Sequence, residues 1–114
     1  MNEIDLTVLR DLQADAGTEF VAELIDTFFE EAPTLLAELR AAQAVGDANR
    51  FRRAAHSIKS NSLTFGATAL AELARKLEVG GLPAEPAPQA PDALDALDDA
   101  YASSARALKD LRDG

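Results

Sequence analysis

An all-α fold, an antiparallel four-helix bundle with an additional short N-terminal helix, is what this 114-residue sequence predicts. Apolar residues recur at spacings of three and four along the whole chain, and no stretch alternates with period two. Glycine and proline are confined to a few places, where they divide that periodicity into long segments joined mostly by short connections. With 47% hydrophobic residues and aromatics limited to five Phe and one Tyr, the composition suits a helical domain rich in Ala and Leu.

The first helix is expected from about Asp5 to Ala14. The next stretch, Thr18 to about Val45, carries Phe20, Leu24, Phe28, Leu35, Leu36 and Leu39, with Pro33 either kinking one long helix or dividing two. Gly46 supplies a stop and Asp47 an N-cap for a helix reaching about Phe65. Gly66 interrupts it, and a helix from about Ala67 to Val79 follows with Leu70, Leu73, Ala74 and Leu77 on one face. Gly80-Gly81 ends that one. The stretch Leu82 to Pro91 holds four of the five prolines and reads as a stiff surface loop within the domain. The last helix, about Pro91 to Arg112, has Pro and Asp92 in its first turn and turns Leu94, Leu97, Tyr101, Leu108 and Leu111 inward. The whole chain, 1–114, is read as one domain with a single core.

Composition excludes several classes of function. Without Cys there are no disulfides, no thiol chemistry and no Cys-ligated zinc, which fits a cytoplasmic setting. No apolar run approaches the ~18 residues that span a bilayer, and Met1-Asn2-Glu3-Ile4-Asp5 lacks the basic start of a signal peptide. A formal net charge of −9 argues against nucleic acid or a membrane surface as partner.

Against that acidic background, Arg50-Phe51-Arg52-Arg53-Ala54-Ala55-His56-Ser57-Ile58-Lys59 concentrates four cations and no acid around the only histidine. On a helical wheel Phe51, Ala55, Ile58, Ser62 and Phe65 fall within about 80° of one another, the narrow stripe of a bundle seam. Arg52, Arg53, His56, Lys59, Ser60 and Leu63 share a second face of about 120°, expected in solvent. An imidazole there is partly neutral at cellular pH, leaving one ring nitrogen available as a nucleophile for a phosphoryl group. Lys59, one turn on, can set an ammonium beside the new dianion, and Ser60 is small enough to let a partner approach. Taken alone, a helical histidine is in most proteins an ordinary residue, the cations a solvated face and the Leu and Phe stripes core. Leu63 beside the histidine suits a docking patch.

The run Ala55-His56-Ser57-Ile58-Lys59-Ser60-Asn61-Ser62-Leu63-Thr64-Phe65-Gly66-Ala67 resembles the signature of histidine-containing phosphotransfer (HPt) domains. Gly46-Asp47, Glu30-Glu31-Ala32-Pro33 and Leu73-Ala74-Arg75-Lys76-Leu77-Glu78 are similar to the family's usual context, so the resemblance covers nearly the whole chain. It implies a phosphorelay intermediate without autonomous catalysis. His56 would take a phosphoryl group from an aspartate of a response-regulator receiver domain and pass it to another. Lys59 would orient or neutralise the phosphohistidine, Arg52, Arg53, Ser60 and Leu63 would form the docking face, and Gly66 would permit close helix packing. The chain would need no cofactor, magnesium being supplied by the receiver, and is expected to be monomeric. Two departures stand out: Ser60 occupies a position usually Gly, and Glu78 stands where the family commonly has Gln beside the imidazole. A carboxylate pointing inward there would repel phosphate, so Glu78 is left outside the expected site.

Alternative readings are the phosphoacceptor domain of a chemotaxis-type sensor histidine kinase, with the nucleotide site elsewhere because no Gly-rich loop is present here, and a helical adaptor that has lost the chemistry. Met1 and the near-complete fold favour a free-standing protein over a kinase fragment. A bundle metal site is set aside because residue 53, three before His56, is Arg rather than Glu.

Overall fold

Among the described residues, the short corners of this chain turn on a residue or two with the right backbone freedom. The computed structural model describes residues 4–82 and 90–113 and contains α1 (Leu6–Ala16), α2 (Thr18–Val45), α3 (Ala48–Thr64), α4 (Thr68–Gly80) and α5 (Ala90–Asp113). Asp5 caps α1 by accepting from the Thr7 amide. Gly46, in the left-handed conformation at φ 73°, closes α2 by donating its N–H to Ala42 and Gln43 carbonyls. Asp47 then opens α3, its carboxylate accepting from the Arg50 amide. So short a corner leaves α2 and α3 no choice but to run antiparallel.

Pro33 neither ends nor divides α2, which is one helix of 28 residues. An internal proline costs a helix about 3 kcal/mol, and the buried residues on both sides of it, Val21, Ile25, Phe28, Ala32, Leu39 and Ala42, offset that loss by keeping both halves on the core. At 1.5 Å per residue α2 accounts for the 44 Å long axis of the molecule.

α3 packs against both α2 and α4, and α5 packs on α2 and α4 to close the ring, while α1 lies over α2 and α3. The inner stripe of α3, with Phe51, Ala55, Ile58, Ser62 and Phe65, is buried as the wheel requires. The Ser62 hydroxyl is satisfied there by donating to the Ile58 carbonyl at 2.6 Å. Phe28 anchors the centre, with ring centroids 5.4 Å from Phe65 and 5.7 Å from Tyr101.

Ion pairs join α5 to α2 at two places, Arg40 with Asp95 and Asp98 and Arg112 with Asp26. These groups are largely solvated and add little, whereas burial of Leu94, Leu97 and Leu108 contributes about 2 kcal/mol each. Hydrophobic contact therefore seats α5, and the charges set its register.

Leu111, expected inward, is exposed, the neighbouring Arg112 being the residue of that turn that meets α2 through Asp26, and Phe20, counted among the apolar residues of α2, is exposed in its first turn. The loop expected over Leu82–Pro91 falls for its greater part, 83–89, outside the described residues, and the last helix begins at Ala90. Gly66 does serve close packing, but against the N-terminal segment: at φ +76° a Cβ would stand 2.7 Å from the Asp5 carbonyl oxygen, and the Asp5 amide donates to the Gly66 carbonyl.

Gly66→Ala should lower the unfolding free energy by about 2 kcal/mol, through left-handed strain and that clash, read as a lower urea midpoint. Ser104, buried in α5 with no hydrogen-bond partner for its hydroxyl among the described residues, gives the opposite sign. Ser104→Ala should raise stability by about 1 kcal/mol by removing an unpaired buried dipole.

Candidate functional site

α3 turns its second face to solvent, as its periodicity requires: Arg52, Arg53, His56, Ser60 and Leu63 are exposed and Lys59 is half-buried. His56 is 56% exposed at its side chain, open enough for a partner protein to reach the ring. Leu63, at 52%, is apolar surface on the same face, two turns further along.

The structure brings one further residue into this group. Glu78 sits in the last turn of α4, which runs back antiparallel along α3, and its carboxylate spans the imidazole and the ammonium. Oε2 lies 2.7 Å from His56 Nδ1 and Oε1 lies 2.7 Å from Lys59 Nζ. Its exclusion from the site is therefore corrected: the carboxylate does point inward, where it meets Lys59 and the Nδ1 side of the imidazole. The sequence held a signal for this. Glu78 is one turn beyond Ala74 and two beyond Ala71 on the inward stripe of α4, where an acid must find a partner.

The Lys59 hydrogen bond, and after it that of His56, holds the Glu78 carboxyl below the ordinary carboxylate range, against a desolvation that pushes it up. The acid is thus ionised and has only lone pairs to offer, so Nδ1 must carry the ring proton and donate it. In the neutral ring Nε2 then holds the free lone pair and faces outward. Ser60 Oγ lies 3.5 Å from it.

Beside the ring lies a cleft of about 450 Å³ between α2 and α3, lined by Glu31, Thr34 and Leu35 on one side and Ser57, Ser60 and Asn61 on the other. It continues through Glu31 and Asn61 into an apolar recess at Leu24, Phe28 and Phe65, and through Leu35 and Ser57 toward Arg53. The cation cluster around the histidine is less uniform than the sequence suggested. Arg50 is paired with Glu38 and Lys59 with Glu78, while among the described residues Arg52 and Arg53 make no ion pair. Among the described residues no three His, Cys, Asp or Glu side chains are grouped to hold a metal ion, and no helix is long and apolar enough to cross a membrane.

The tautomer is directly measurable. Nitrogen NMR of the neutral imidazole should show His56 protonated at Nδ1 and bare at Nε2, and Glu78→Ala should redistribute the proton between the two. Because the folded Glu78 carboxyl is depressed, the stabilisation from its contacts is present above the ordinary carboxylate pKa and lost as pH falls through the lower folded value.

The family model described as the Hpt domain matches residues 23–110. The fold is similar to the crystal structure of histidine-containing phosphotransfer protein B from Pseudomonas aeruginosa PAO1, with a TM-score of 0.83 and 30% identity over 97% of this chain and 95% of that one. Comparison with curated protein sequences finds no match. An exposed histidine on a four-helix bundle, a family match over most of the chain and a structural relative of nearly equal length lead to one conclusion: the chain belongs to the Hpt domain family.

Proposed function

We propose that Nε2 of His56 is the atom that carries the phosphoryl group. Membership of the Hpt family puts the chain in histidine phosphotransfer within phosphorelay signalling, as a carrier. The observation that carries the atomic assignment is the Nδ1 contact with Glu78, which directs the lone pair to the exposed nitrogen.

The partner is a receiver domain bearing an aspartyl phosphate. In the forward step Nε2 attacks phosphorus, the Nε2–P bond forms, the aspartyl P–O bond breaks and the aspartate leaves as a carboxylate. No proton has to leave the histidine: Nδ1 keeps its hydrogen, and Glu78 balances the positive charge that develops on the ring. Donation to a second receiver is the same step reversed. Lys59 lies one turn from His56, and the arriving dianion competes with Glu78 for its ammonium. Magnesium and the additional carboxylates come from the receiver. Arg52 and Arg53 offer exposed positive charge beside the ring for steering, and Leu63 with the α2/α3 cleft offers the docking surface. We read residues 1–114 as a single domain that acts as a monomer in the cytoplasm.

The test is transfer from a panel of phosphorylated receiver domains in magnesium, with acid-labile, base-stable phosphate located by mass spectrometry. Wild type should label at His56 and His56→Gln should not; label arriving only from an ATP-driven kinase domain would instead make this a kinase's phosphoacceptor domain. Lys59→Ala should slow transfer about tenfold, the weight of one charge-assisted hydrogen bond. Replacing Arg52 and Arg53 with Ala should lower the association rate severalfold at low salt, and the difference should vanish as ionic strength rises. A salt-independent rate in wild type would count against steering.

A further inference from the structure

We infer that the Ser60 hydroxyl is a phosphoryl-binding group that stabilises the phosphorylated form of His56, an inference that rests on the reading of His56 as phosphoacceptor. Hydroxyls on these helices have an easy alternative, which is to donate to the carbonyl one turn back. Thr27 does so to Glu23, Ser62 to Ile58 and Thr64 to Ser60. Ser60 does not: its Oγ faces the imidazole one turn back, 3.5 Å from Nε2.

At that distance the contact is long for a hydrogen bond, so the hydroxyl barely competes for the lone pair before transfer. The situation changes once phosphorus is attached. The phosphoryl oxygens stand one P–N and one P–O bond beyond Nε2, in the space the exposed Ser60 side chain borders. The hydroxyl, whose acceptor on the ring has now been taken by phosphorus, turns its proton to one of them. The bond so formed is charge-assisted and belongs to the phosphorylated state alone.

Two consequences follow from that selectivity. A contact made only with the phosphoryl group shifts the transfer equilibrium toward His56. It also slows loss of phosphate to water, because in a loose, metaphosphate-like transition state the phosphoryl oxygens carry less charge than in the bound dianion and the hydrogen bond weakens on the way. Glu78 and Ser60 thus act on opposite nitrogens of one ring. The carboxylate fixes the proton at Nδ1, and the hydroxyl receives what is built on Nε2.

Loading the purified protein with phosphoramidate tests this without a partner. Its P–N bond breaks as Nε2–P forms, and ammonia leaves. Phosphohistidine should then decay at least about threefold faster in Ser60→Ala than in wild type, one charge-assisted hydrogen bond having been lost. Ser60→Thr, which keeps the hydroxyl, should decay at the wild-type rate. The phosphorus NMR resonance should move in Ser60→Ala and not in Ser60→Thr, a readout that altered helix stability would leave alone. Identical decay and superimposable resonances in wild type and Ser60→Ala would overturn the role of Ser60 while leaving His56 as acceptor. Wild type that takes no label at His56, or takes it at Nδ1, would overturn the reading of His56 Nε2 and this inference with it.

Discussion

Burial of the Phe51, Ala55, Ile58, Ser62 and Phe65 stripe is the constraint on which the rest of this molecule depends. α3 has neighbours on two sides, and each of these residues is nearly removed from water between α2 and α4. Rotating the helix to hide His56 would expose two phenylalanines and an isoleucine, at about 1.5–3 kcal/mol each. The histidine is therefore held outward by residues that never touch it, and its exposure follows from packing.

The same packing sets the electrostatics. α4 returns along α3 through a three-residue corner at Phe65, Gly66 and Ala67, and that return delivers Glu78 to the side of the ring away from solvent. One carboxylate then serves two cationic partners. With Lys59 it forms an ion pair in which both side chains are mostly covered, and toward His56 it acts as a proton acceptor that selects a tautomer. An amide at this position would leave Lys59 without this anionic partner, so the acid keeps the ammonium paired.

The α2/α3 groove is graded along its length. Arg53, Glu38 and Arg50 lie toward one end of the α2/α3 groove, small polar residues lie beside His56, and Leu24, Phe28 and Phe65 lie toward the other end. The exposed Phe20, one turn before Leu24 on α2, extends the apolar end. The groove thus carries charge at one end and apolar surface at the other.

Much of this was legible in the residues themselves, because it depends on local rules. The 3.6-residue period separates the buried stripe of α3 from the His56 face, Asp47 caps and Gly46 stops without help from distant parts of the chain, and the run from Ala55 to Ala67 carries the family resemblance. What stayed hidden depends on two elements meeting. Whether Pro33 breaks α2 is settled by the packing of both its halves, and which side chain of the last turn of α5 meets α2, Leu111 or Arg112, is settled by how the two helices lie together. The direction of the Glu78 carboxylate is settled by the antiparallel return of α4. Sequence alone determined that a histidine would stand exposed on a helical bundle; tertiary structure decided which of its nitrogens is free, since a proton's place on a ring is set by the group that happens to face it.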